Sequence, residues 1–294
     1  MNNLALKVAL CALAAFDVGC ISSCGGGGGE TTQPNVTHPG NGGTDTTTTN
    51  PPPPPPGPIP ATGWYLRNVI FDGKAYPFQV FIPAGYTPAK KWPAIVFLHG
   101  GNDVGSDGYK QLSVGLGPYI NGHRPDFPAI GVFPQMSAEG NGVGRANYIS
   151  TVIMSLDSTI KEFPGIDPTR IYLNGLSFGG IQGFEIVYRN PTRFAAWVPI
   201  SAAICETCIA GAPNQQQMAY SLYASTLPTM PFWQFQGDQD QAIPTPAVRA
   251  FEAVYQAKDP NAKYTEYAGY DHSTTYPKAY GTQALWDWLW AQHR

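Results

Sequence analysis

The chain carries little charge of either sign: Lys and Arg number 17 and Asp and Glu 20 among 294 residues, for a formal net charge of -3. Such a surface lacks the clustered cations that grip phosphate, which excludes nucleic acid as a partner. Long apolar runs are also missing. No stretch reaches the roughly 18 residues that a membrane-spanning helix requires. Cysteine is scarce, and three of the 5 (Cys11, Cys20, Cys24) crowd the N-terminus. Only Cys205 and Cys208 remain for the rest of the chain. Two cysteines without a nearby histidine make a poor zinc site, and Cys205-Glu206-Thr207-Cys208 does not open a helix as a redox motif would. In an oxidising compartment the pair reads as a local disulfide that staples a loop. No internal repeat is visible.

What is present divides the chain in three. Lys7 precedes a short apolar run, Val8–Phe16, with the shape of a secretory signal. Ile21-Ser22-Ser23-Cys24 resembles a bacterial lipobox, with Cys24 the residue to be acylated. Cys20 is a rival position, although Asp17 stands where an aliphatic residue belongs, and a plain cleaved signal peptide is the alternative. Each of these readings makes residues 1–24 a leader and the protein exported. The lipidated form would associate with the outer membrane only through its lipid. Residues 25–63 are dominated by Gly, Thr and Pro, which cannot build a core. Their Pro51–Pro56 run advances roughly 3.1 Å per residue and acts as a stiff spacer. Residues 64–294 are left as one domain.

Strand and helix patterns alternate along that domain. Trp64–Phe71 and Phe78–Ile82 flank Asp72-Gly73, a hairpin signal. Ala94–Leu98, Ala129–Phe133, Arg170–Asn174, Ala195–Ile200 and Phe232–Gln236 read as buried strands, and Tyr264–Tyr267 as extended. Helical spacing covers Tyr148–Phe163, Phe178–Tyr188, Val248–Ala257 and a closing segment, Ala284–Gln292. The order predicts an α/β fold with a mostly parallel central sheet, right-handed crossovers and an N-terminal β-hairpin.

Three places carry chemistry. Gly175-Leu176-Ser177-Phe178-Gly179 lies between a strand and a helix, the context of a nucleophile elbow, where glycines permit a close approach that a Cβ would block. The helix N-terminus favours negative charge developing near Ser177. Leu98-His99-Gly100-Gly101 follows an earlier strand, where an α/β-hydrolase supplies one N–H to the oxyanion; the residue after the nucleophile supplies another. Gly101 and Phe178 are the expected donors, with Asn102 replacing Gly101 if the register slips by one. His99 is expected to brace its loop. In the chain order of this fold the base must follow the acid, which leaves His272 and His293, and His293 is the penultimate residue. His272 is therefore the expected base. Gly237-Asp238-Gln239-Asp240 follows a strand, and Asp240 is the expected acid, with Asp238 as runner-up. Asp271 adjoins the base and is expected to point away.

The segments Phe97–Gly101, Arg170–Gly180, Phe194–Pro199 and Pro231–Gly237 resemble bacterial exported α/β-hydrolases of the "predicted peptidase" type. That family is close to phospholipase/carboxylesterase-like esterases, feruloyl esterases and poly(3-hydroxybutyrate) depolymerases. The resemblance spans nearly all of residues 64–294, and it implies serine ester hydrolysis with Ser177, Asp240 and His272 in the triad positions. Trp286–Gln292 looks like the family's closing helix. Two residues depart from the pattern: Gln236 stands where relatives usually carry His, and Phe178 replaces the commoner Met. Both are expected to alter the pocket. The reaction needs no metal and no cofactor. The expected partner is a small or polymeric ester, short-chain, feruloyl or polyester, met by a monomer. The Gly-rich stretch Met136–Asn147 is a candidate border of the cleft, and most aromatic side chains are expected in the core.

Overall fold

The computed structural model describes residues 61–137, 143–204, 221, 224–225 and 230–294. Cys24, Cys205 and Cys208 lie outside the described residues, as do the leader and most of the spacer.

The first two strands, β1 (Gly63–Phe71) and β2 (Lys74–Ile82), pair antiparallel with Phe71 opposite Lys74. Asp72 and Gly73 between them have φ of 49° and 72°. Two successive positive φ values match the twist of the flanking strands, the reason this dipeptide makes a tight hairpin. The strand β2 starts four residues earlier than its apolar run, because Lys74–Pro77 pair with β1 although two of them are exposed.

The remaining strands are β3 (Trp92–Leu98), β4 (Ile130–Pro134), β5 (Ile166–Leu176), β6 (Ala196–Ile200), β7 (Trp233–Gly237) and β8 (Lys263–Tyr267). Among the described residues they build one eight-stranded sheet in the order β1-β2-β4-β3-β5-β6-β7-β8. From β4 to β8 every pairing is parallel.

Among the described residues six α-helices cover the sheet: α1 (Leu116–Gly122), α2 (Val143–Glu162), α3 (Phe178–Arg189), α4 (Thr245–Lys258), α5 (Thr275–Tyr280) and α6 (Gln283–Trp290). Strand residues alternate between two cores. In β3, Ala94, Val96 and Leu98 join Val152 of α2, Phe184 of α3 and Phe251 of α4 on one face. Ile95 and Phe97 join Leu116 of α1, Tyr280 of α5 and Trp286 of α6 on the other. Both faces being buried explains why these strands read as unbroken apolar runs. Trp233 and Phe235 are buried core residues, as expected. The stretch Met136–Asn147 is not wholly irregular, since α2 begins at Val143.

Parallel strands bring their carboxyl ends to one rim, where an open α/β sheet presents its ligand site. The segments that follow β3, β5, β7 and β8 there are His99–Asp103, Ser177, Asp238–Asp240 and Tyr270–His272.

Candidate active site

Ser177 is the sharp corner between β5 and α3. Its φ of 51° and ψ of -123° lie in a region that a side chain tolerates poorly. The flanking glycines explain how such a corner survives. A Cβ on Gly179 would sit 2.2 Å from the Leu98 carbonyl oxygen, and one on Gly175 would sit 2.8 Å from the Gly179 oxygen. The elbow is locked by Ser177 N–H donating to the Ile200 oxygen at 3.0 Å and Ile181 N–H donating to the Ser177 oxygen at 3.0 Å.

Three side chains from three strand ends meet at this corner. The His272 Nε2 lies 2.8 Å from Ser177 Oγ, and His272 Nδ1 lies 2.8 Å from Asp240 Oδ2. The Asp240 side chain is fully buried, whereas that of His272 is 24% exposed, so the imidazole is reachable and the carboxylate is not. A buried carboxylate needs donors. Asp240 Oδ1 accepts from the N–H groups of Ala242 (2.9 Å) and Ile243 (2.8 Å), and Oδ2 also accepts from Gln236 Nε2 (3.0 Å).

Asp238 takes a different task. Its Oδ1 accepts from Gly269 N–H at 2.7 Å, tying the acid loop to the histidine loop. Asp271 points away from the site and caps the turn behind His272, accepting from the N–H groups of Ser273 (3.0 Å) and Thr274 (2.8 Å); these bonds hold its carboxyl at about 2. His123 stacks on Tyr119, and His293 is exposed near the chain end.

His99 is buried with both ring nitrogens occupied. Nδ1 faces the Gly100 oxygen at 2.7 Å, and Nε2 accepts from Met136 N–H at 2.9 Å. That pairing fixes the Nδ1–H tautomer, and burial lowers the imidazole pKa to about 4, keeping it neutral. His99 therefore braces the turn Gly101–Asp103. Gly101 opens that 3-10 turn and Phe178 opens α3, so neither N–H has an acceptor within its own helix. The two positions adjoin, since a Cβ on Gly101 would lie 3.7 Å from that of Phe178.

These groups face a cleft of about 450 Å³ whose lining includes Gly101, Asn102, Asp103, Leu176, Ser177, His272 and Tyr276. Among the described residues Tyr276 is the one Phe, Tyr or Trp that lines it, and no described residue of Met136–Asn147 contributes. Phe178 is half-buried and packs against the core, and Gln236 lies beneath Asp240. Neither is among the described residues that line the cleft, and Gln236 acts on the site through its bond to Asp240.

Sequence patterning missed three residues around the site. Ser201 directly follows β6, with φ of 47°, and donates through Oγ to the His272 backbone oxygen at 3.2 Å. Asp103 and Tyr276 line the cleft. Tyr276 lies in α5, a six-residue helix too short to show a helical period in the sequence.

No family model matches the chain. Solved structures do. A thermostable esterase superposes with a TM-score of 0.62 at 23% identity, over 79% of this chain and 63% of its own. This chain has the α/β-hydrolase fold. A feruloyl esterase module from Clostridium thermocellum, a mutant complexed with sinapinate, gives 0.55 at 17% identity over 76% and 87% of the two chains. The Pyrococcus horikoshii acylaminoacyl peptidase gives 0.56 at 12% identity over 73% and 38%. The chain thus spans less than two thirds of the thermostable esterase and under half of the peptidase. In an α/β-hydrolase the nucleophile, acid and histidine come in that order along the chain. Ser177, Asp240 and His272 follow it.

Proposed function

We propose that the protein is a serine esterase that hydrolyses carboxylic esters through an acyl-enzyme on Ser177. The observation that carries this reading is the hydrogen-bonded chain from Ser177 Oγ through His272 to buried Asp240, opening on a cleft. His272 removes the Ser177 proton as Oγ attacks the ester carbonyl, and Asp240 holds the imidazole in the required tautomer. The N–H groups of Gly101 and Phe178 stabilise the oxyanion, each contributing about 3 kcal/mol. The alcohol leaves with the proton from His272. Water, activated by the same base, then releases the acid. Ser177, His272 and Asp240 are the catalytic residues in this reading.

Three features support an ester substrate of modest size. The cleft volume suits a small acyl group, its apolar members Val114, Pro118 and Leu176 offer an acyl surface, and two of the similar structures are esterases. Short-chain, feruloyl and polyester substrates are the classes to separate. The test is hydrolysis of p-nitrophenyl acetate, butyrate and octanoate, methyl ferulate, a polyester film and a peptide anilide, with Ser177→Ala alongside. We expect ester turnover that the substitution lowers about 10⁴-fold in kcat. Retention of more than about a tenth of the activity would overturn the assignment, and a preference for the anilide would make the protein a peptidase.

From the leader and the cysteine pattern we further propose an exported monomer, tethered through an acylated Cys24 or else released by plain signal cleavage, with Cys205 and Cys208 disulfide-bonded. Radiolabelled palmitate should enter the wild-type protein and not Cys24→Ala. Thiol titration of the unfolded, unreduced protein should detect neither Cys205 nor Cys208.

A further inference from the structure

Asp103 is the one Asp, Glu, Lys or Arg among the described residues that line the cleft, and the mechanism above gives it no task. Its carboxylate stands close to the nucleophile. A Cβ on Gly100, itself a lining residue, would lie 3.3 Å from Asp103 Oδ2 and 3.8 Å from Ser177 Cβ. Oδ2 and Ser177 Cβ are therefore no further apart than those two distances laid end to end, about 7 Å. A unit charge in a half-buried setting is felt over that range.

The loop holds the carboxylate in place. Asp103 closes the 3-10 turn Gly101–Asp103, and its N–H donates to the Gly100 oxygen at 3.2 Å. Its backbone oxygen accepts from Gln135 Nε2 at 3.3 Å, and two residues on, Gly105 N–H donates to the Met136 oxygen at 2.8 Å. With His99 bonded to Met136 N–H, the turn is tied at both ends to the segment after β4. Burial raises the pKa of the half-buried Asp103, and the charge of Lys110 lowers it. Starting from a value of about 3.9, the carboxyl is ionised at an assay pH of about 8. Lys110 is exposed and is not among the lining residues, which leaves Asp103 to set the charge of the cleft wall.

Resting on the esterase reading, we infer that Asp103 selects substrates by charge: esters with a cation beside the scissile bond are favoured, neutral ones are accepted, and those with a carboxylate are rejected. An anionic substituent entering the cleft gives up water beside a fixed like charge, whereas a cation gains an opposite one. Among polymeric esters this favours uncharged or basic chains over acidic ones. A residue that merely packs would change the rates of all three charge classes alike.

The test uses the full-length protein and thioesters of one acyl group: cationic butyrylthiocholine, its neutral isostere 3,3-dimethylbutyl thiobutyrate, and anionic S-butyryl-3-mercaptopropionate. Neutral p-nitrophenyl pentanoate and anionic mono-p-nitrophenyl adipate place the charge on the acyl side instead. We expect Asp103→Asn to lower the cation-to-anion ratio of kcat/KM about tenfold, and Asp103→Glu, which restores the charge, to keep it. Comparing ratios between variants cancels the intrinsic reactivity of each ester. A preference that follows residue 103 on either side supports the inference and tells which side the carboxylate faces. Inhibition of wild type tests the same point without a variant: choline should act at lower concentration than 3,3-dimethylbutanol, and 3,3-dimethylbutyrate at higher. Ratios that Asp103→Asn leaves unchanged on both sides, or inhibition indifferent to charge, would overturn the inference while leaving the esterase reading intact. Wild-type protein that neither turns over esters nor is labelled at Ser177 by a fluorophosphonate would instead overturn the esterase reading, and this inference with it.

Discussion

Gln236 is wholly buried, and its side-chain amide donates to Asp240 Oδ2 (3.0 Å), to the Ile243 oxygen (3.1 Å) and to Thr245 Oγ1 (3.4 Å). It braces the acid rather than shaping the pocket. Gln236→Leu should lower kcat about tenfold with little change in KM, because Asp240 loses one donor and its hold on His272 loosens. Steady-state kinetics on the best ester check this, and a change confined to KM would mean that residue 236 contacts substrate. His99 offers a second test. Its folded pKa of about 4 lies below the ordinary histidine value near 6.5, so the unfolded chain binds the proton more readily. The stability this contributes is full above about pH 6.5 and is lost as pH falls towards 4, by about 3 kcal/mol. Urea unfolding at the two pH values should show that loss in wild type and a smaller one in His99→Gln, which keeps a polar side chain without the titrating imidazole. A chain order and a pair of strand ends made His99, Asp240 and His272 legible. The sequence already favoured Asp240 over Asp238, and the folded loop shows why, sending one carboxylate to His272 and the other to Gly269.

At the level of elements, the elbow is the most constrained join in the protein. Gly179→Ala would drive a methyl into the Leu98 carbonyl, a backbone atom that cannot turn aside. We expect a loss of about 2 kcal/mol or more in unfolding free energy, together with loss of esterase activity, measured by urea titration and ester turnover. A fully active and stable variant would show that α3 shifts freely against β3. The long buried elements were legible because their apolar runs exceed what chance supplies: β3, β5, β6 and β7 each match a strand read from sequence to within a few residues. The helices α1 and α5 were not. They have seven and six residues, α1 carries two glycines and a proline, and α5 has Pro277 in its middle turn. Too short to show a 3.6-residue period, they exist because packing against α6 and the sheet holds them. Tyr276 stayed hidden for the same reason.

Across the whole molecule, one sheet serves two cores, so neither can melt without exposing the other. Trp197 of β6 is completely buried and packs edge-on against Phe184 of α3, centroids 5.7 Å apart at 87°. Gly183 admits its ring, since a Cβ there would lie 2.1 Å from the indole. Trp197→Ala should therefore cost about 3 to 5 kcal/mol of stability. Far-UV circular dichroism and ester turnover should fall together in one transition for both proteins; loss of turnover well before loss of ellipticity would show the rim melting first. By itself the sequence determined the alternation of strands and helices, the parallel sheet, the elbow at Ser177 and the order of acid and base, because hydrophobic period, glycine sterics and chain order are local properties. Only the tertiary structure decided that Gln236 holds Asp240, that Ser201 holds the His272 backbone, and that Tyr276 packs on the His272 ring. The geometry of those contacts arises when the sheet brings its carboxyl ends to one rim.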